Sequence, residues 1–167
     1  MSTADDDRAA FASPACSAHE MDDAYMGFLT PAELAAALNE LLEAERAGAR
    51  VALATLHEAC GPEMSRVVRE IQHDESRWAA LLNRIVQTLG EAPSNKTGAF
   101  FAKAMAIADI EERLRFINRG QGWVVRKLRE LLPRVRDDAI HADLSKMLDG
   151  HVEKIDRVDQ LQNASFR

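Results

Sequence analysis

The sequence predicts an all-α fold: a four-helix bundle of two antiparallel hairpins joined by a long crossover that contains a short helix. Three observations carry this. The 167 residues are rich in Ala, Leu, Glu, Arg, Ile and Val, with aromatics at 5% and only five prolines, a bias that favours helix almost throughout. Four long segments repeat apolar residues at spacings of three and four, the period of a helix with one buried face. The links between them are short, long and short. At this length the chain is one domain with a sizeable core.

Residues 1–28 are Ala/Ser/Asp-rich and aperiodic, and read as a disordered acidic tail, with residues 29–167 forming the bundle. Met21, Tyr25, Met26 and Phe28 are candidates to dock the end of the tail. The first helix opens at Thr30-Pro31-Ala32-Glu33: Thr30 suits the N-cap, Pro31 the first helical position, and Glu33 completes a capping box. It is expected to run to Cys60 and stop at Gly61-Pro62, and the second to run from Pro62 to Leu89 and stop at Gly90. Asp109 suits the N-cap of the third helix, which ends at Leu132 before Pro133. The fourth is expected over 136–163, with Asp137 and Asp138 facing its positive end.

The short first and last links make two hairpins. The middle link, residues 91–108, has 18 residues, including the apolar stretch Ala99–Ile107. That is enough to cross a bundle of roughly 40 Å even when half of it is helical.

Each helix interrupts its apolar stripe with a polar residue. In the first, Glu45 lies on the line of Leu34, Leu38, Leu41, Leu42, Ala49, Ala52, Leu56 and Cys60. In the second, Asp74 and Glu75 both fill the gap between Ile71 and Trp78. Gln121 is central in the third, between Ile117 and Val124, and His151 in the fourth, between Met147 and Ile155. Counted from the turns, these positions agree to within about one helical turn. A buried carboxylate without compensation is costly, so the layer must pair, protonate or bind a cation. A metal site and a metal-free polar network both satisfy that requirement.

Other classes are excluded or unsupported. The formal charge is -6 with both signs interspersed, so neither nucleic acid nor an anionic membrane is an expected partner. No apolar run reaches the ~18 residues of a membrane span, and the acidic N-terminus is unlike a signal peptide. The expected compartment is the cytoplasm. Cys16 and Cys60 form no C-x-x-C pair, and Cys60 reads as a buried structural thiol. His57 and His141 fall off their stripes and read as surface residues.

The segment Leu38-Asn39-Glu40-Leu41-Leu42-Glu43-Ala44-Glu45 resembles the first-helix motif of the ferritin-like superfamily, bacterioferritin-type members above all. Met147-Leu148-Asp149-Gly150-His151 is similar to the fourth-helix motif, and His73-Asp74-Glu75-Ser76-Arg77-Trp78 to the second ligand helix. The resemblance covers residues 31–163. It implies metal ligands at Glu45 and His151, with Asp74 or Glu75 from the second helix.

The chain also departs from the pattern. Leu148 replaces a glutamate, Gln121 with Asn118 and Arg119 nearby replaces another, and Arg77 takes the histidine position if Asp74 is the ligand. A di-iron centre of this family uses four glutamates and two histidines. The set here resembles that of an uncharacterised bacterial ferritin-like family with a degenerate site, holding at most a single ion such as Fe, Mn or Zn. The local match Glu70-Ile71-Gln72-His73 has the Glu-x-x-His spacing. It is the weaker alternative, since His73 points about 150° away from the buried stripe.

Two functions compete: a metal-binding ferritin-like protein, with redox chemistry open to it, and a non-enzymatic interaction or scaffold bundle whose polar layer fixes register. Phe116 and Trp123 lie seven apart and off the core stripe of the third helix. That placement suits a homodimer face or packing beneath Phe100 and Phe101. Transfer-RNA modification has precedent in ferritin-like hydroxylases but lacks a basic patch here.

Overall fold

The computed structural model describes residues 26–59 and 61–165. The readings of residues 1–25, including Cys16, Met21 and Tyr25, and that of Cys60 lie outside the described residues. Among the described residues the chain is all-helical, without strands: α1 (Pro31–Glu58), α2 (Pro62–Thr88), α3 (Phe100–Met105), α4 (Ile110–Leu131), a 3-10 turn (Leu132–Arg134) and α5 (Asp138–Ser165).

The capping signals act as expected. Thr30 and Glu33 form the reciprocal capping box, with the Glu33 amide donating to Thr30 Oγ1 and the Thr30 amide to Glu33 Oε2 at 2.9 Å. Asp109 Oδ1 accepts from the Glu112 amide at 2.7 Å, and Asp137 Oδ1 from that of Ile140 at 2.8 Å. Helix α1 ends two residues earlier than the sequence suggests, at Glu58, because the chain turns extended at Ala59 before Gly61 adopts φ 86°. That left-handed conformation is one that glycine enters without a Cβ clash.

Helices α1 and α2 pack as an antiparallel hairpin, as do α4 and α5. After Gly90 the chain runs back along α1, held by side chains on one face of that helix. Asn39 Nδ2 donates to Ala92 O at 3.1 Å, and Asn39 Oδ1 accepts from the Ser94 amide at 2.7 Å. Ser94 Oγ donates to Glu43 at 2.5 Å, Arg46 donates to Asn95, and Arg50 reaches Thr97 and lies over the Phe101 ring. The chain therefore enters α4 near the end of α1. There Arg113, almost fully buried, donates to Ile107 O at 2.9 Å and Thr55 Oγ1 at 3.4 Å, and pairs with Glu58 at 3.0 Å.

The buried apolar residues fall into two clusters. One includes Leu34, Leu38, Leu41, Leu42, Trp78, Leu82, Val124, Leu128, Leu144 and Met147. The other includes Val51, Ala52, Val67, Val68, Ile71, Leu114, Ile117 and Val158. The buried face of α1 is wider than its predicted stripe, taking in Ala47, Gly48, Val51 and Thr55, while Ala49 and Leu56 are only half-buried. The cause is that α1 packs against α2, α3 and α4 together. Phe116 stacks on Phe100, with ring centroids 4.9 Å apart, so the crossover covers it.

Leu38 is fully buried and Leu53 is about half exposed. Leu38→Ala should therefore lower unfolding free energy by about 2–5 kcal/mol in urea denaturation. Leu53→Ala should cost under about 0.5 kcal/mol.

Candidate metal centre

Between the two apolar clusters the interior turns polar. Glu45 of α1, Glu75 of α2, and Gln121 of α4 are buried together with His151 of α5. Glu45, Glu75 and His151 each bring one ligand atom within 4.8 Å of the others. The chain thus contributes a carboxylate, a carboxylate and an imidazole from three helices to one point.

The imidazole is oriented by the backbone of its own helix. His151 Nδ1 lies 2.9 Å from the Met147 carbonyl oxygen, which can only accept, so Nδ1 carries a proton. In the neutral ring the lone pair is then on Nε2, which stands 3.2 Å from Glu45 Oε1. A carbonyl holding Nδ1–H while Nε2 faces a carboxylate is the arrangement of a metal-ligating histidine. Neither oxygen of Glu45 receives a hydrogen bond among the described residues. For a fully buried carboxylate this leaves either a proton or a cation as compensation.

Glu75 is held more closely. Gln121 Nε2 donates to its Oε1 at 2.9 Å, and the carboxylate lies against the bare Cα of Gly48. A Cβ on Gly48 would stand 2.5 Å from Glu75 Oε2 and 2.8 Å from its Cδ, closer than atoms pack. On α5, Gly150 likewise leaves room for Trp78, whose ring a Cβ would meet at 3.0 Å. The Trp78 ring in turn lies 6.3 Å from that of His151.

Electrostatics follow from this burial. Desolvation pushes the Glu45 carboxyl up to about 8, with the nearby Glu75 carboxyl, when it holds the proton, opposing. Desolvation, then the neighbouring Glu45 charge, push Glu75 well above the carboxylate range, with His151 and Gln121 acting the other way. Two carboxylates this close hold a proton between them when no cation is present.

The other candidates lie elsewhere. Asp74, about a third exposed, faces outward and pairs with Lys154 Nζ at 2.8 Å, so of the two residues that fill the gap in α2 only Glu75 enters the interior. Glu70 pairs with Arg157 at 2.9 Å, and His73 is largely exposed beside Asp74. The Glu-x-x-His match therefore lies on the outer face between α2 and α5. Arg77 is exposed and lies over the Trp78 ring at 4.0 Å, and Arg119 lies over Phe116. Asn118 is buried but turned to α5, donating to Asp159 Oδ1 at 2.7 Å. Periodicity and motifs assign no role to Arg113, Gly48 or Gly120, and Gly150 enters only as part of the fourth-helix motif. Arg113 stood on the stripe between Ile110 and Ile117 and was visible there, whereas the glycines gave no signal apart from their smallness.

Two outcomes follow. An alanine in place of a helical glycine ordinarily stabilises by about 0.5–1 kcal/mol. Gly122→Ala should do so, since its Cβ meets only Arg126 at 3.9 Å. Gly48→Ala should instead destabilise by about 1–3 kcal/mol through its clash with Glu75, as read by thermal or urea unfolding. Second, a carboxyl whose folded pKa is raised binds its proton more tightly folded than unfolded. With metal chelated, stability should therefore fall as pH rises from the ordinary value of 4.5 through about 8 for Glu45. The slope should approach about 1.4 kcal/mol per pH unit and per proton, and Glu45→Gln should flatten its share.

No helix among the described residues is long and apolar enough to cross a membrane. No curated protein and no solved structure matches the chain. A family model does match, over residues 32–160, from the first turn of α1 to near the end of α5 and including every residue of the buried layer. The chain belongs to the family described as a domain of unknown function, DUF6306.

Proposed function

We propose that this chain is a metal-binding protein with a ferritin-like four-helix bundle, holding one transition-metal ion, Fe, Mn or Zn, at Glu45, Glu75 and His151. The observation that carries the reading is the Glu45 carboxylate. It is fully buried, receives no hydrogen bond at either oxygen among the described residues, and stands 3.2 Å from His151 Nε2, the lone-pair nitrogen of the neutral ring. A divalent cation at the meeting point of the three groups supplies the missing compensation. It also favours the ionised form of both glutamates, in the way the shared proton cannot. Two hard oxygen donors and one imidazole suit Fe, Mn or Zn rather than a soft-metal site.

The fold assignment within this proposal is supported by the two antiparallel hairpins and by the crossover that returns along α1. Inward side chains on facing helices are how such bundles build metal sites. Three protein ligands leave coordination positions for a small exogenous molecule, which is the chemistry a bound ion would supply. The residues around it have separate tasks. Gln121 fixes the Glu75 carboxylate, the Met147 carbonyl fixes the imidazole tautomer, and the Trp78 ring packs beside it.

A second reading is favoured by the raised pKa values of the two glutamates: a metal-free network in which a shared proton fixes helix register. Metal content of untagged protein separates the two. After incubation with Fe(II), Mn(II) or Zn(II) and desalting, about one ion should remain per chain. Glu45→Gln and His151→Ala should lose it, while Asp74→Asn and His73→Ala should retain it. Wild-type protein that stays empty of all three ions, at full helicity, would sink the metal reading and leave the network.

A further inference from the structure

A groove of about 440 Å³ lies between α1 and α2 and is bordered by the crossover. We propose that it binds a phosphate dianion, either as the free ion or as the monoester of a small molecule.

The charge of the groove is one-sided. Arg46 and Arg50 of α1 line it together with Ser76 of α2 and with Asn95 and Thr97 of the crossover, and no carboxylate lines it. The two arginines stand four residues apart on one helix, where like charges repel. Neither makes an ion pair among the described residues. In a chain of formal charge -6, this pair is left without an acid. Holding the crossover does not account for it. Arg46 reaches Asn95 at 3.5 Å and Arg50 reaches Thr97 at 3.4 Å, both at the long limit of a hydrogen bond, and both acceptors are neutral. The basic groove between α2 and α5 is different, since Glu70 and Asp74 there already answer Arg157 and Lys154.

The donors decide the ligand's chemistry. A guanidinium carries five N–H groups. Arg46 spends two of its nitrogens on Asn83 and Asn95, and Arg50 spends one on Thr97, so each keeps donors to give. Ser76 Oγ accepts from Gln72 at 2.9 Å and Thr97 Oγ1 accepts from Arg50, which leaves each hydroxyl its own proton. Asn95 engages its carbonyl oxygen and leaves its amide nitrogen. These donors come from three walls around one space. A carboxylate offers two oxygens in one plane and a single charge. A phosphate presents its oxygens tetrahedrally and carries close to two charges at neutral pH. It therefore matches two guanidiniums in charge, and their forked donors suit its geometry. Bound there, it ties α1 and α2 to the crossover.

Amide NMR of the isotope-labelled full chain tests this, with inorganic phosphate exchanged for chloride at constant ionic strength. Saturable shifts are expected at Ser76, Asn95 and Thr97, with and without prior chelation. Arg46→Gln and Arg50→Gln should each weaken binding at least about tenfold, the equivalent of one hydrogen bond to a charged group. Arg50 is exposed, so its variant keeps the fold. Arg69→Gln, in the other basic groove, should leave the affinity unchanged, and acetate should bind at least about tenfold more weakly than phosphate. Glycerol phosphate separates the sources: tighter binding than inorganic phosphate assigns the group to an ester, and weaker binding to the free ion. Shifts that rise without saturating would overturn the proposal, as would shifts that vanish on chelation or centre on Arg69 and His73. Acetate binding as tightly as phosphate, or an unchanged affinity in Arg50→Gln, would overturn it too. The inference goes beyond the metal reading, and these variants leave Glu45, Glu75 and His151 in place, so the two fail separately.

Discussion

The constraint on which the interior depends is the burial of two facing carboxylates, Glu45 and Glu75, in the middle of an apolar core. Removing either charge from water costs several kcal/mol unless something nearby replaces the solvent. Much of the surrounding geometry serves that replacement. The Gln121 amide donates to Glu75, Glu45 and Glu75 lie close enough to share a proton or a cation, and Gly48 gives up its side chain so that the Glu75 carboxylate can lie against the backbone. The same constraint divides the apolar core into two clusters. A bundle built only for stability would fill that layer with leucines, so the layer is an expense that points to a use.

Around this layer the polar contacts between elements are grouped at positions that fix orientation. The face of α1 that carries Asn39, Glu43, Arg46 and Arg50 guides the crossover along its length. That path delivers Phe100 against Gly120. At the far end Arg113 joins the start of α4 to the end of α1 through Thr55 and Glu58. On the opposite side Lys154 and Arg157 of α5 hold Asp74 and Glu70 of α2. These contacts accompany the rotation of α2 and α4 that turns Glu75 and Gln121 into the core. Rotation in turn decides which side chains point inward.

Much of the helix plan could be read from residues of strong local meaning. Thr30, Pro31 and Glu33, Gly61-Pro62, Gly90, Asp109 and Asp137 mark helix ends through backbone chemistry that needs no tertiary partner. Helical periodicity likewise placed Glu45, Gln121 and His151 inward, where they lie buried. It could not separate Asp74 from Glu75, since adjacent residues differ by about 100° and the stripe was no narrower than that. A side chain on another helix makes the distinction: Lys154 draws Asp74 outward. Gly48 and Gly120 were silent for a related reason. A glycine's contribution here is the volume it leaves to a residue far along the chain, Glu75 in one case and Phe100 in the other.

The outward turn of Asp74 also bears on how many ions the layer suits. A two-ion centre needs carboxylates enough to bridge and to balance four positive charges. Here α2 contributes one inward carboxylate, α4 contributes the neutral amide of Gln121, and Leu148 of α5 packs against the apolar core. Two glutamates neutralise one divalent cation, and a neutral imidazole adds a ligand without adding charge. With Asp74 already matched by Lys154 and Asn118 matched by Asp159, no second set of anionic ligands faces the layer among the described residues. Charge balance in a low-dielectric interior therefore favours one ion.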